Sequence, residues 1–150
     1  MLTPDDWEVW RRVRLEALAG APEAFASTLS QWQSAPEDRW RQRLSAVPFN
    51  VVAVVDGMTV GQASGTELDA GRVELISVWV APGARGTGVG DALIAAVKDY
   101  AGEAGANVVR LSVRRRNEPA IRLYERSGFV ASDEPGDAPD EIRMDCPLRR

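Results

Sequence analysis

Three glycines at alternate positions, Gly86, Gly88 and Gly90, follow Arg85 in the stretch "ARGTGVGDAL". This stretch comes directly after the strand-like run "VELISVWV" and leads into an apolar spacing typical of a helix. A glycine-rich turn at a helix start leaves backbone N–H groups converging on one point, where the helix dipole adds positive charge. Such a turn can bind phosphate. The alternative is a tight turn that uses glycine only for its conformational freedom.

Two other phosphate-binding glycine motifs do not match this spacing. A Walker loop ends in Gly-Lys followed by Ser or Thr, and "GTGVGDA" contains no lysine. A dinucleotide-binding fingerprint needs its third glycine three residues after the second, where Asp91 stands here. The sequence therefore predicts neither of these sites.

The composition excludes several kinds of catalytic site. The 150 residues contain no histidine, which removes Ser-His-Asp and Cys-His catalysis and most zinc sites, so we expect no metal. Proton transfer must then use carboxylates, tyrosine, lysine, cysteine or water. The one cysteine, Cys146, cannot form an internal disulfide, which predicts a reducing compartment and, by default, the cytoplasm. Without a histidine to activate it, Cys146 is expected to be an apolar strand residue.

The charge pattern limits the partners. A net charge of -4 argues against a general nucleic-acid binder and favours cationic small molecules. The run Arg114 to Arg116 invites a nucleic-acid interpretation, but in an acidic chain these arginines are expected to meet phosphates or solvent. No apolar run is long enough to cross a bilayer, and the N-terminus lacks a secretion signal, so we expect no membrane partner.

The elements that must position these residues follow from periodicity and turn signals, and they predict one domain over residues 1–150 with a mixed α/β sheet and helices on both faces. The first fifty residues read as mostly helical, with Thr3 as an N-cap and Arg14 among the apolar positions of the first helix. The predicted elements are a helix over 3–20, a loop containing Phe25 and Trp32, a helix around 34–46, a hairpin within 50–68 turning at Asp56-Gly57, a strand over 73–80, a helix over 87–103, a strand over 107–113, a helix over 117–127, a strand over 129–132, a loop over 133–140 and a strand over 141–148.

The stretch Arg85-Gly86-Thr87-Gly88-Val89-Gly90 resembles the pyrophosphate loop of the GNAT superfamily of N-acetyltransferases. "ELISVWVAP" before it resembles the fourth strand of that family, and "NEPAIRLYERSGF" resembles its downstream segment. Together these motifs cover roughly residues 73–130. The resemblance implies a three-layer α-β-α fold whose central, mostly antiparallel twisted sheet is splayed between its fourth and fifth strands. It also implies an acyltransferase enzyme that transfers acetyl from acetyl-CoA to an amine in a ternary complex.

The same resemblance implies which residues bind acetyl-CoA. The loop amides would hold the pyrophosphate, with Gly88 and Gly90 as positions where a Cβ should obstruct it. Main-chain groups near the end of the fourth strand would meet the pantetheine arm and the thioester. The implied set is Val78, Trp79, Val80, Arg85, Gly86, Thr87, Gly88, Val89, Gly90, Asp91, Asn117, Ala120 and Tyr124.

Two side chains are candidates for proton transfer. Tyr124 matches the family position of the general acid; the alternative is a core tyrosine with a satisfied hydroxyl. Glu74 lies eleven residues before Arg85, where some family members place a glutamate base, and by strand alternation it shares a face with Ile76, Val78 and Val80. The alternative for Glu74 is a solvated or salt-bridged residue. Asn117 can both cap a helix and bind the cofactor.

The acceptor amine, of a small molecule, peptide or protein, is expected to bind near Phe25, Trp32 and Glu74, with Trp40 nearby. The acidic stretch from Asp133 to Glu141 could attract a cationic amine or be merely solvated. The usual first strand of the family is almost absent before Thr3, so the sheet edge is either shortened or completed by a partner, and a homodimer is possible. Two other functions stay open: a non-catalytic CoA-binding regulatory module, or an enzyme that uses another acyl-CoA.

Overall fold

The computed structural model describes residues 1–20 and 29–148, and the elements along them follow the predicted order. The helices, after a 3-10 turn over Pro4–Asp6, are α1 (Trp7–Gly20), α2 (Leu29–Gln33), α3 (Glu37–Ala46), α4 (Val89–Ala104) and α5 (Glu118–Arg126). The strands are β1 (Phe49–Val55), β2 (Met58–Gly65), β3 (Arg72–Val80), β4 (Val108–Arg114), β5 (Val130–Pro135) and β6 (Glu141–Pro147). The mixed α/β prediction is confirmed.

Over the described residues the strands form one sheet in the order β1-β2-β3-β4-β6-β5. Its neighbouring strands are antiparallel except β3 and β4, which are parallel. That parallel pair is in register only from Arg72 to Glu74, against Val108 to Arg110. Beyond these three pairs the strands separate, although β3 continues to Val80 and β4 to Arg114. The predicted mostly antiparallel sheet is therefore confirmed. Its splay lies between β3 and β4, and not between the fourth and fifth strands, because none of the described residues before α1 forms a strand.

Helices cover both faces of the sheet. On one face α4 lies so close to β2 that a Cβ at Gly61 would come within 2.9 Å of Leu93 Cδ1, and one at Gly65 within 3.0 Å of Tyr100 Cδ2. On the other face, Arg43 of α3 reaches Ser64 of β2. Alternate β2 residues thus face different helix layers, which gives the predicted three-layer arrangement.

A bulge in β3 changes which residues share a face. Ser64 lies opposite Ile76 and Gln62 lies opposite Trp79, so three steps along β3 match two along β2. Ser77, inside the bulge, has a φ of +58°, a left-handed conformation that is uncommon for a residue with a side chain. An extra residue reverses the alternation of every side chain beyond it.

The predicted common face of Glu74, Ile76, Val78 and Val80 is wrong for this reason. Glu74 and Ile76 lie on the face of α1 and α3, whereas Val80 pairs with Gly61 and, like Val78, packs against the core beneath α4. Ordinary strand alternation could not have revealed the bulge.

Several local predictions can be compared directly. The hairpin turn at Asp56-Gly57 is confirmed, with φ of +51° and +79°, as a two-residue hairpin loop requires. Trp32 lies in the short helix α2 and not in a loop, because the chain completes helical turns before Ala35. The predicted loop over 133–140 begins later, since Asp133 and Glu134 belong to β5. Phe25 lies outside the described residues.

Two backbone hydrogen bonds fix the N-terminal residues, one within the first turn and one to the sheet. Thr3 occupies the N-cap position of the 3-10 turn, as predicted, and its backbone N–H donates to the Asp6 carboxylate at 2.8 Å, which is the reciprocal bond of a capping box. The N–H of Leu2 donates to the carbonyl of Asn50 on the edge strand β1 at 2.8 Å. Among residues 1–20 and 29–148, no helix has the length and apolarity that a bilayer span requires.

Candidate active site

The splayed strands border a cleft with a volume of about 1630 Å³. The second half of β3 and the end of β4 form its walls. One end is closed by side chains of α1 and α3, and the other opens at the glycine turn before α4. Helix α5 borders the cleft between these two ends. Because helices and strands from across the chain contribute to it, the cleft brings together residues that are distant in the sequence.

The glycine turn presents open backbone to the cleft. Gly86 and Gly88 have φ of +78° and +91°, and nothing lies within 4 Å of an ideal Cβ at either position. Val89 starts α4 directly after Gly88, so the first amides of a 16-residue helix follow the turn. Arg85 donates from Nε to the carbonyl of Val80 at 3.1 Å, and the Thr87 hydroxyl donates to the carbonyl of Ala84. The turn is therefore anchored while its backbone is exposed, as an anion site requires.

Gly90 has a packing role that the sequence did not indicate. A Cβ there would lie 2.9 Å from Leu123 Cδ2, so this glycine allows α4 to approach α5. Its role in cofactor binding stays a prediction. Asp91 lines the cleft, but its carboxylate accepts from Arg126 at 3.3 Å, which links the same two helices.

Arginines surround the open end of the cleft. Arg114 pairs with Asp140 at 2.9 Å, whereas Arg85 and Arg116 make no ion pair with any described residue. All three line the cleft. Arg85 and Arg116 therefore supply positive charge to the cleft that no carboxylate of the described residues pairs with, and a phosphate ligand can use this charge.

Tyr124 lies at the centre of the cleft, on α5. The helix is capped by Asn117, whose Oδ1 accepts from the N–H of Ala120 at 3.3 Å, as predicted. The Tyr124 ring is only 8% exposed and packs edge-on against Phe129, with ring centroids 5.9 Å apart. Burial raises the pKa of Tyr124 to about 12. Its hydroxyl makes no hydrogen bond to the described residues, so the ring belongs to the core while the hydroxyl has no partner among those residues.

The bulge exposes main chain where β3 and β4 separate. Two residues, Ser77 and Val78, lie opposite one residue of β2, which leaves one of their backbone groups outside the ladder. Trp79 is 6% exposed and packs against Val13 and Ala17 of α1. The side chains of Val78, Trp79 and Val80 are therefore packed, and only their backbone is available to a ligand.

Glu74 lies where the separation of the strands begins. Its N–H donates to the Thr66 hydroxyl at 2.8 Å and its carbonyl accepts from the Thr66 N–H, which fixes the backbone. Its half-buried side chain lines the cleft and makes no ion pair within the described part of the chain. The strand neighbour Arg110 is instead paired with Glu134 and Asp145.

Tryptophans line the end of the cleft opposite the glycine turn. Trp32 and Trp40 have ring centroids 4.7 Å apart, and Trp40 donates from Nε1 to the carbonyl of Ala35 at 3.2 Å. Trp10, which the sequence did not single out, lines the same end and is fully buried. This end offers an apolar, aromatic surface. Residues 1–20 and 29–148 contain no group of three or more side chains that could hold a metal ion.

The fold and site can be compared with known proteins. The model of the acetyltransferase (GNAT) family matches residues 13–129. The chain belongs to this family. It is 30% identical to the mycothiol acetyltransferase of Clavibacter sepedonicus over 127 residues, which cover 85% of this chain and 40% of that protein. The chain thus spans about 40% of the length of this curated relative.

Two solved structures show the same fold. The PaiA N-acetyltransferase of Thermoplasma acidophilum, in complex with coenzyme A, has a TM-score of 0.77 at 18% identity and covers 98% of this chain and 96% of its own. A GCN5-related N-acetyltransferase from Kribbella flavida has a TM-score of 0.72 at 25% identity and covers 96% and 93%. The overall fold of this GNAT chain is therefore shared with these two acetyltransferases.

The acidic stretch of this GNAT chain does not form a free negative surface. Asp137 pairs with Arg143 at 2.7 Å, Asp140 with Arg114 and Glu134 with Arg110. Each of these carboxylates meets an arginine of β4 or β6. The structure therefore gives little support to the predicted attraction of a cationic amine by this segment.

Sequence reasoning missed two arginines at the closed end of the cleft. Arg14 is 9% exposed, and burial together with the nearby Arg43 lowers its pKa to about 10. Burial also lowers the pKa of Arg43 to about 10. Both side chains line the cleft. The sequence does place Arg14 among the apolar positions of the first helix. Burying a charged side chain there costs free energy, so its position could have marked it as a functional candidate.

Proposed function

We propose that this GNAT chain transfers the acetyl group of acetyl-CoA to an amine of a small molecule, peptide or protein by direct attack in a ternary complex. One observation carries the proposal: the glycine turn, Tyr124 and Glu74 come from different elements and open into one cleft. The aromatic end of that cleft leaves room for a second substrate beside the first. No group carried by the protein is needed to hold the acetyl group between the two substrates.

The donor end is formed by the residues around the glycine turn. We infer that Arg85 and the exposed backbone from Gly86 to Gly90 hold the pyrophosphate, which the open space at Gly86 and Gly88 supports. Val78 to Val80 contribute main-chain groups, since their side chains are packed. Asn117 and Ala120 line the same cleft, and the Asn117 amide nitrogen is not used by the helix cap. Bound acetyl-CoA supplies a thioester carbonyl to this site.

The amine must lose a proton, and the departing sulfur must gain one. As the new C–N bond forms and the C–S bond breaks, Glu74 accepts the amine proton, directly or through water, and Tyr124 donates to the sulfur. Burial keeps Tyr124 protonated, because a pKa of about 12 lies far above physiological pH. The same burial disfavours a thiolate, so the proton affinities of sulfur and tyrosine move in the same direction. We infer that a backbone N–H at the bulge donates to the carbonyl oxygen as it becomes negative.

The direct test is turnover. Acetyl-CoA and a panel of primary amines are expected to give acetylated products that mass spectrometry identifies, with intersecting initial-velocity patterns that a ternary complex produces. Saturable acetyl-CoA binding without turnover of any amine would instead support the non-catalytic module. Faster turnover with propionyl- or succinyl-CoA would support another acyl donor.

Glu74 has its own expected signature. Glu74→Gln is expected to lower kcat/KM about 100-fold at neutral pH, because a positioned base is lost. The difference in kcat/KM between the variant and the wild type should become smaller as the pH approaches the pKa of the acceptor amine, because an uncharged amine needs no base. Glu67→Gln, outside the cleft, is the matched control and should leave the pH–rate profile unchanged. A deficit that does not vary with pH would contradict the base role.

Location and assembly are part of the same proposal. The free thiol of the buried Cys146 supports the cytoplasm, a compartment that keeps thiols reduced. Apolar side chains at the end of the first hairpin, Val54, Val55 and Met58, are 58%, 48% and 69% exposed and support a homodimer. Light scattering of the purified protein measures the molar mass that decides between monomer and dimer.

A further inference from the structure

Arg43 is a half-buried cation whose contacts are neutral. Its guanidinium donates to Asn50 Oδ1 at 2.8 Å, to Ser64 Oγ at 3.1 Å and to Ser77 Oγ at 3.3 Å. It also lies over the ring of Trp10, 4.9 Å from the ring centre. None of the described carboxylates pairs with it. Since three contacts use only part of the five N–H donors of an arginine, Arg43 can still bind an anionic acceptor.

Arg14 places a second cation beside the first. It is 9% exposed and lines the same end of the cleft, and burial together with the nearby charge of Arg43 lowers its pKa to about 10. A negatively charged ligand at Arg43 would reduce the repulsion between these two like charges. The pair therefore favours a negatively charged partner.

The surrounding polar groups add to this preference. Trp10 and Trp79 line the same part of the cleft, and their indole N–H groups are buried without an acceptor among the described residues. An N–H dipole without an acceptor adds partial positive charge to its surroundings. Glu74 also lines the cleft. It lies on β3 two residues before Ile76, on the same face of the sheet, and the bulge follows Ile76.

We propose that the acceptor is an amino acid: a small amine that also carries a free carboxylate. Arg43, with Arg14 beside it, binds the carboxylate, while the amine lies toward Glu74 and the bulge. Because Nη2 already donates to Ser64 and Ser77, the carboxylate accepts a charge-assisted hydrogen bond from the remaining hydrogen of Nη1 or Nε. The side chain of the acceptor contacts Trp10, Trp32 and Trp40, which favours an apolar or aromatic amino acid. This inference rests on the proposed acetyl transfer and names its substrate class.

The wild-type enzyme allows a test that needs no variant. Acetylation of L-phenylalanine is compared with that of L-phenylalaninamide and of the phosphonate analogue of phenylalanine. We expect kcat/KM to be about 10- to 100-fold higher for the acid than for the amide, the range of a hydrogen bond to a charged group. An amide group makes the neighbouring amine less basic and more often uncharged, so intrinsic reactivity favours the opposite order. Equal or faster acetylation of the amide would overturn the proposal, and a preference for the phosphonate would replace carboxylate by phosphate chemistry.

A binding measurement separates this inference from the proposed activity. N-acetyl-L-phenylalanine is expected to raise the Tm of the wild-type protein, whereas N-acetyl-L-phenylalaninamide at the same concentration should not. Arg43→Gln should abolish the difference, and Arg41→Gln, on the same helix but outside the cleft, should keep it. If Arg43→Gln does not fold, Arg43→Lys retains the charge and should weaken the acid-specific shift, because an ammonium group has fewer donors to hold Asn50, Ser64, Ser77 and the ligand together.

The experiments distinguish a failure of the carboxylate site from a failure of the proposed acetyltransferase activity. Equal Tm shifts from acid and amide in the wild type, while amines are acetylated, would remove the carboxylate site and leave the acetyltransferase. An acid-specific shift without any acetylation would keep the anion site and remove the proposed activity.

Discussion

Tyr124→Phe is expected to lower kcat by about 100- to 10,000-fold and to leave the affinity for acetyl-CoA within about twofold of the wild type. The substitution removes only a hydroxyl that makes no hydrogen bond to the described residues. The ring keeps its edge-on contact with Phe129. Proton donation to the leaving sulfur is therefore lost while packing is preserved. Steady-state kinetics and calorimetric titration measure the two effects separately.

The other tyrosine of the chain provides a matched control. Tyr100 donates its hydroxyl to the carbonyl of Thr66 at 3.1 Å, packs on Phe49 and lies outside the cleft. Tyr100→Phe should change stability slightly and kcat very little. If Tyr124→Phe retained wild-type kcat, the hydroxyl would have no role in proton transfer and Tyr124 would be a core residue.

The pH profile gives a second readout for Tyr124. An unshifted tyrosine would be half ionised at its ordinary pKa of 10, whereas burial raises the pKa of Tyr124 to about 12. A raised pKa means that the proton is retained to higher pH. The wild-type rate should therefore rise with pH as the acceptor amine deprotonates. At pH values up to about 10 it should show no decline from loss of the Tyr124 proton. A decline centred between pH 8 and pH 9 would indicate a different acid.

Gly88→Glu is expected to weaken acetyl-CoA binding by at least about 100-fold, as measured by calorimetric titration. The new carboxylate would stand in the turn that we infer to hold the pyrophosphate. Nothing fills the space at a Gly88 Cβ, so the side chain would enter the region that the ligand needs. The φ of +91° adds backbone strain, because residues with a side chain rarely adopt it.

Two control variants show whether the loss of acetyl-CoA affinity comes from the charge of the new side chain, from backbone strain or from any charge added to α4. Gly88→Gln has the same shape and strain but no charge, and it should bind acetyl-CoA more tightly than Gly88→Glu and less tightly than the wild type. Gly102→Glu adds the same charge near the far end of α4, at an exposed position with open space, and should bind normally. Wild-type affinity in Gly88→Glu would place the phosphates elsewhere.

The fold was largely predictable because its signals are local. The Asp56-Gly57 turn, the Asn117 cap and the glycine turn before α4 each follow from the types of a few neighbouring residues. The splay was implied by the resemblance and not by periodicity. Separation of β3 from β4 depends on pairing between residues more than thirty positions apart.

The site was less predictable because its chemistry depends on long-range contacts. The Ser77 bulge is defined by the register of β3 against β2 and reverses which side chains face α1. The roles of Gly90 and Arg43 likewise depend on partners in other elements, Leu123 and Ser64. Sequence patterns identify the element on which such a residue lies, but not the atoms that it meets.

The short parallel register between β3 and β4 has a consequence for how the molecule holds together. Three residue pairs join the half-sheet β1–β3 to the half-sheet β4–β6, and helix α4 packs against strands of both halves. A molecule that fills the cleft touches both halves where backbone pairing has stopped. Bound substrate would thus stabilise the two half-sheets relative to each other. Mutations that change the packing of one half would reduce the affinity for substrate even where the mutated residue does not contact the substrate.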